Sequence, residues 1–303
     1  MFLVSSVDLV IAACRQGAIG TVPTPNARTV QDLEEWLRRI SGALSDEDAP
    51  WAVNVVVHRT NDRLAQDLEL VEKYRPPLVI TALGSPRAIV ERVHAYGGLV
   101  FADVNSLRYA RQAVQLGVDG LVLVAAGAGG HTGQMAAFSM VPAIREFFGG
   151  TLVLGGGLAD GAGIRAVEVL GADLASMGTR FIACTETLAS DAYRQLLVES
   201  SIEDLILTKA ITGVPAYWLK QSLAAAGLDI ESLEQEIPVD FTDPKNAVRR
   251  WTQVWSAGHG VGAIKSVQSA HDLLKRLRDE YWDAAGRGSA LVRRTPVAES
   301  AGT

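Results

Sequence analysis

Cysteine is nearly absent from this chain: 303 residues contain two, Cys14 and Cys184. A pair so far apart fits neither a disulfide framework nor a zinc site, which sets aside small secreted scaffolds and zinc modules. Positive charge is also short. Lys and Arg number 28 against 34 Asp and Glu, a formal net charge of −6. That balance offers no basic footprint for nucleic acid or for an anionic lipid surface. No apolar run approaches the ~20 residues that a membrane span requires. What is present is a sizeable core: hydrophobic residues make up 48% and charged residues 20%. Such a chain is not disordered, and its length suits two domains or one large α/β barrel. The cytoplasm is the expected compartment.

The first residues pose one ambiguity. Ile11-Ala12-Ala13-Cys14 mimics a lipoprotein cleavage site. However, no Lys or Arg precedes the apolar run and Asp8 interrupts it. The reading is a buried strand, Phe2–Ser5, followed by a helix, Val7–Arg15.

Short apolar or β-branched runs then recur, each followed by helical spacing. Predicted strands are Phe2–Ser5, Ala18–Val22, Ala52–Val57, Leu78–Thr81, Leu99–Asp103, Gly120–Val124, Leu152–Leu154 and Leu174–Met177. Predicted helices include Val30–Leu44 and Leu64–Tyr74. Strands apolar on both faces belong to a parallel sheet covered by helices. Eight βα units point to a (β/α)8 TIM barrel. Its core is expected over residues 1–199, with a smaller helical substrate or lid segment over 200–262. A helix returning to the barrel follows over 263–283, with Ala270, Leu274, Leu277 and Tyr281 on one stripe. The tail, 284–303, reads as disordered.

Chemistry is concentrated at three glycine-rich strand ends. Strand seven runs into Gly155-Gly156-Gly157-Leu158-Ala159-Asp160-Gly161 and strand eight into Met177-Gly178-Thr179-Arg180. Loops after these two strands are the usual phosphate site of TIM barrels, where free N–H groups meet an anion. Neither Gly155-Gly156-Gly157-Leu158-Ala159-Asp160 nor Gly127-Ala128-Gly129-Gly130-His131-Thr132 has the full spacing of a dinucleotide-binding fingerprint. The third, Ala126-Gly127-Ala128-Gly129-Gly130-His131-Thr132-Gly133, follows strand six in the longest βα connection. It allows close approach to a flat ligand and presents one imidazole, His131, at the barrel mouth. A further histidine, His259, lies in Gly258-His259-Gly260-Val261-Gly262, a loop able to fold over the site. No metal-ligand cluster is apparent. From the residues alone, the expectation is a phosphate-bearing ligand in a barrel with a rim histidine.

Taken together, Met1-Phe2, Val53-Asn54-Val55-Val56-Val57, Ala128-Gly129-Gly130-His131-Thr132-Gly133, Gly156-Gly157-Leu158-Ala159-Asp160-Gly161 and Met177-Gly178-Thr179-Arg180-Phe181 resemble the nitronate monooxygenases. The resemblance covers essentially the whole barrel and extends to Ala257-Gly258. It implies a TIM barrel carrying non-covalent FMN that oxidises alkyl nitronates with O2 to a carbonyl compound and nitrite. It also implies that Gly156, Gly157, Gly178 and Thr179 hold the FMN phosphate and that Asn54 contacts the isoalloxazine. Gly129 and Gly130 would lie along the flavin, with Met1 and Phe2 as strand-one contacts. His131 would be the catalytic or substrate-positioning base, joined by His259 at the substrate. The alternative on the same barrel is a flavin-dependent NAD(P)H reductase of enoyl thioesters or quinones. A homodimer is left open. The chain departs from the pattern at Gly127 (often an acid), at Asp103 (a lysine in some members) and at His259 (usually Gln). Family members also begin ten to twenty residues before the methionine that Met1 matches, so strand one is expected to be incomplete.

Overall fold

The computed structural model describes residues 1–230, 233 and 254–287. Seven parallel strands form the main sheet: β1 (Thr21–Pro23), β2 (Ala52–Val56), β3 (Leu78–Ala82), β4 (Leu99–Val104), β5 (Gly120–Val124), β7 (Thr151–Gly155) and β8 (Leu174–Ser176). They lie in the order β1-β2-β3-β4-β5-β7-β8. α1 (Val7–Arg15) precedes β1, and the helices between the strands are α2 (Val30–Ala43), α3 (Leu64–Tyr74), α4 (Arg87–His94), α5 (Leu107–Gln115), α6 (Ala137–Arg145) and α7 (Gly161–Leu170). After β8 come the short α8 (Thr179–Ile182) and α9 (Asp191–Glu199).

Period-two alternation sorts each strand into two faces. Val53, Val55, Val79, Val100, Leu121, Leu123, Leu152 and Leu154 pack outward against the helices in the main core. Ala52, Leu78, Ile80, Phe101, Val122 and Val153 gather inside the curled sheet. Asn54 and Asp103 share that inner face, two polar residues at positions where the neighbours are apolar.

The expected strand Phe2–Ser5 is instead a turn. Leu3 takes a left-handed φ of 59°. Asn26 acts as its partner: the Leu3 N–H donates to Asn26 Oδ1 at 2.7 Å, and Asn26 Nδ2 donates to the carbonyls of Met1 (3.0 Å) and Ser5 (2.9 Å). Ser6 then caps α1, its Oγ accepting from the Leu9 N–H. Among the described residues, β1 pairs only with β2 and β8 only with β7.

The segment after residue 200 contains strands as well as helix. Here β9 (Leu205–Thr208) and β10 (Ala216–Leu219) form an antiparallel sheet with β6 (Gly130–His131), in the order β6-β10-β9, followed by α10 (Lys220–Ala225). Trp218 is wholly buried at its centre. The sequence reading missed these strands because each is four residues long and flanked by turn residues. α11 (Ala270–Arg287) packs against the barrel, burying Ala270, Leu273 and Leu277. Residues 284–287, read as tail, continue this helix. The readings of 234–253 and of the tail from 288 onward lie outside the described residues. Cys14 and Cys184 are buried and free. No described helix is long and apolar enough to cross a membrane.

Candidate active site

A cavity of about 2160 Å³ occupies the interior of the curled sheet and opens at the C-terminal ends of its strands. Met1, Phe2, Asn54, Gly129, Gly130, His131, Gly156, Gly157, Gly178 and Thr179 all line it. Ten residues singled out along 179 positions of sequence therefore meet at one space. His259 does not line it. Its ring packs edge-on against Tyr217, with centroids 4.6 Å apart, beside Gly127.

His131 is placed by backbone pairing. As half of β6, it lies opposite Ala216 of β10, while Gly130 lies opposite Tyr217. The Thr132 N–H donates to the Pro215 carbonyl at 3.0 Å, extending the clamp. The accessory sheet thus holds the rim histidine in a fixed strand. Burial lowers its pKa below the usual 6.5, so the imidazole is neutral at pH 7. A neutral imidazole can accept a proton.

Four residues before His131, two loops converge on one oxygen. The Gly127 carbonyl accepts the Gly157 N–H at 3.1 Å and the His259 N–H at 3.0 Å. Thr179 Oγ1 accepts the Gly258 N–H at 2.8 Å. Left-handed φ values of 87° at Gly127 and 69° at Gly157 make this approach possible. The β7 end and the loop before α11 are therefore tied together through that carbonyl.

The sequence reading noted Asp103 only as a departure and did not connect it with Asn54. Asn54 Nδ2 donates to Asp103 Oδ2 at 3.3 Å, reaching from β2 past β3 to β4. Burial pushes the Asp103 carboxyl up to about 7, opposed by the Asn54 hydrogen bond and the nearby Met1 α-amine. The pairing was traceable: both residues sit at inward positions of the alternation, third in Ala52-Val53-Asn54 and in Phe101-Ala102-Asp103. Tyr217, which shapes the rim through His259, carried no such signal.

The nitronate monooxygenase family model matches residues 52–280. The chain belongs to the nitronate monooxygenase family. It is 29% identical over 235 residues to a nitronate monooxygenase of Paraburkholderia phytofirmans, covering 74% of this chain and 59% of that protein. It is also 25% identical over 224 residues to a hydroxy-methyl-oxo-octahydroindene-carboxyl-CoA dehydrogenase of Mycobacterium tuberculosis, covering 73% and 61%. The chain thus spans about three-fifths of the length of these curated relatives. Among solved structures, FabK from Thermotoga maritima superposes with a TM-score of 0.82 at 23% identity, covering 96% of this chain and 94% of that one. A nitroalkane oxidase from Streptomyces ansochromogenes gives 0.79 at 23%, covering 95% and 94%. Those likenesses establish the barrel fold of this family member.

Proposed function

We propose that this protein is an FMN-dependent oxidoreductase that converts alkyl nitronates and O2 to a carbonyl compound and nitrite. The observation that carries the reading is a neutral, strand-held His131 on a cavity that glycine backbone also lines. The residues fit the cofactor. The cavity has room for a flat tricycle with a small substrate above it. The glycine ends of β7 and β8 line the cavity with backbone where side chains would intrude. Gly156, Gly157, Gly178 and Thr179 would hold the phosphate, Asn54 the ring edge, and Gly129 and Gly130 the ring face. When bound, FMN supplies the electron-accepting chemistry and its reoxidation by O2.

The chain's own part is binding and proton handling. His131 Nε2 is buried, and burial favours its uncharged form. With a neutral nitroalkane, that imidazole takes the proton from the carbon bearing the nitro group. With a nitronate, already deprotonated, it positions the nitro oxygens. The β6–β10 clamp keeps the ring at the mouth in both cases.

A second reading, flavin-dependent reduction of an enoyl thioester or a quinone with NAD(P)H, is favoured by the likeness to a carboxyl-CoA dehydrogenase and to an enoyl reductase domain. Purified protein separates the two. A yellow protein that releases FMN on heating, and forms nitrite from propyl-2-nitronate without NAD(P)H, supports the first reading. Rapid NAD(P)H oxidation without nitronate overturns it.

A further inference from the structure

Inside the curled sheet, one feature is unrelated to the rim histidine and the phosphate loops. Asn54 and Asp103 form a polar pair in an otherwise apolar interior. Across the inward face their neighbours are Ile80, Phe101, Val122 and Val153, none of which can compensate a charge. Asn54 Nδ2 donates to Asp103 Oδ2. Among the described residues, no hydrogen bond reaches Asp103 Oδ1. Both side chains line the cavity, so the remaining amide and carboxyl atoms are available to a ligand there.

Resting on the flavin reading above, we propose that the Asn54–Asp103 pair is a proton-dependent dock for the ring edge of the cofactor. In it, a protonated Asp103 donates a hydrogen bond to a ring acceptor and Asn54 fixes the carboxyl. The chemistry selects a flat heterocycle with carbonyl or imine acceptors along one edge. An amide beside a carboxylic acid presents donors and an acceptor side by side, which is what an imide edge requires. A carboxylate in the same place offers acceptors only, and it repels an acceptor edge in a poorly solvated interior.

The protonated form is the one this interior favours. Burial raises the carboxyl to about 7, outweighing the Asn54 hydrogen bond and the Met1 α-amine, which both favour ionisation. Among the described residues, that amine is the one charged group that acts on Asp103, and burial lowers it to about 6, so it is largely uncharged where Asp103 titrates. No titratable side chain faces the pair from the inward positions of β3, β5 or β7 among the described residues.

The test is FMN binding by the apoprotein, followed by flavin fluorescence quenching between pH 5.5 and 8.5, for wild type and Asp103→Asn. Asparagine keeps the shape and a donor but cannot ionise. Wild-type affinity should fall with pH, approaching about tenfold per pH unit above the carboxyl's pKa. The variant should lack this fall. The titrations of the FMN phosphate and of His131 are common to both proteins and cancel in the comparison. Infrared difference spectra of the wild type should show a carboxylic-acid band lost with the same midpoint, a reading that stands if the variant does not fold. Parallel pH profiles, or the absence of that band, would overturn the dock while leaving the flavin reading intact. Failure of wild type to bind FMN at any pH would overturn both.

Discussion

Two titratable side chains in this interior are driven toward neutrality from opposite sides by one cause. Burial lowers His131 and raises Asp103. For His131 the consequence is catalytic. His131→Asn should leave the fold and the FMN content unchanged, because a rim strand contributes little to the core. Turnover of a neutral nitroalkane should drop by about 10²–10⁴-fold, the usual contribution of a positioned base. Loss with a nitronate should be smaller and appear in KM, since no proton need be removed. Equal losses in kcat for both substrates would contradict the assigned role. For Asp103 the consequence is a pH term in stability. Its folded pKa of about 7 lies above its ordinary 3.8, so the native state holds the extra proton between those values. The stabilisation from that proton is complete below about pH 4 and is lost as pH rises through about 7. Relative to Asp103→Asn, wild type should therefore lose stability between pH 4 and 8. Urea midpoints for the two proteins across that range measure the difference.

Among the elements, the loop from Ala125 to Gly130 does the most with the least side chain. Its Gly127 carbonyl ties the β7 end to the loop before α11. A Cβ on Gly127 would lie 2.9 Å from His259 Nδ1, and the residue's φ of 87° disfavours any other side chain. Gly127→Ala should displace the His259 ring from Tyr217, cost about 1–2 kcal/mol of strain, and weaken FMN binding. Gly262→Ala, where an added Cβ meets nothing within 4 Å, should change neither. Thermal unfolding and FMN titration of both variants check this. That this loop would line a cavity was legible because glycine strings and a lone histidine in the longest βα connection are visible in the sequence. That His131 would be held as a strand was not legible. Its partner, Ala216, lies 85 residues away, and a two-residue strand has no periodicity to detect.

For the whole molecule, the barrel was readable because its strands are apolar on both faces and recur about every 21 residues between β3 and β5. The N-terminal turn was not, because its conformation is set by Asn26, a contact that propensity does not encode. The buried stripe of the C-terminal helix includes Leu273, which the helical spacing does not single out. How that helix attaches gives the last prediction. Leu273 and Leu277 of α11 pack with Leu9 of α1 and Cys184, joining the two ends of the described chain in one cluster. The backbone of α11 also runs so close to α7 that a Cβ on Gly161 would stand 2.2 Å from the Tyr281 nitrogen. Such tight packing leaves little freedom for collapse around a lost side chain. Leu277→Ala should accordingly cost about 2–5 kcal/mol, with the larger value favoured by the rigid contact. Because the cluster spans both ends, the loss should appear as a lower urea midpoint for the whole barrel with an unchanged slope. A separate early transition with full retention of the main unfolding step would instead show that α11 is an independent appendage.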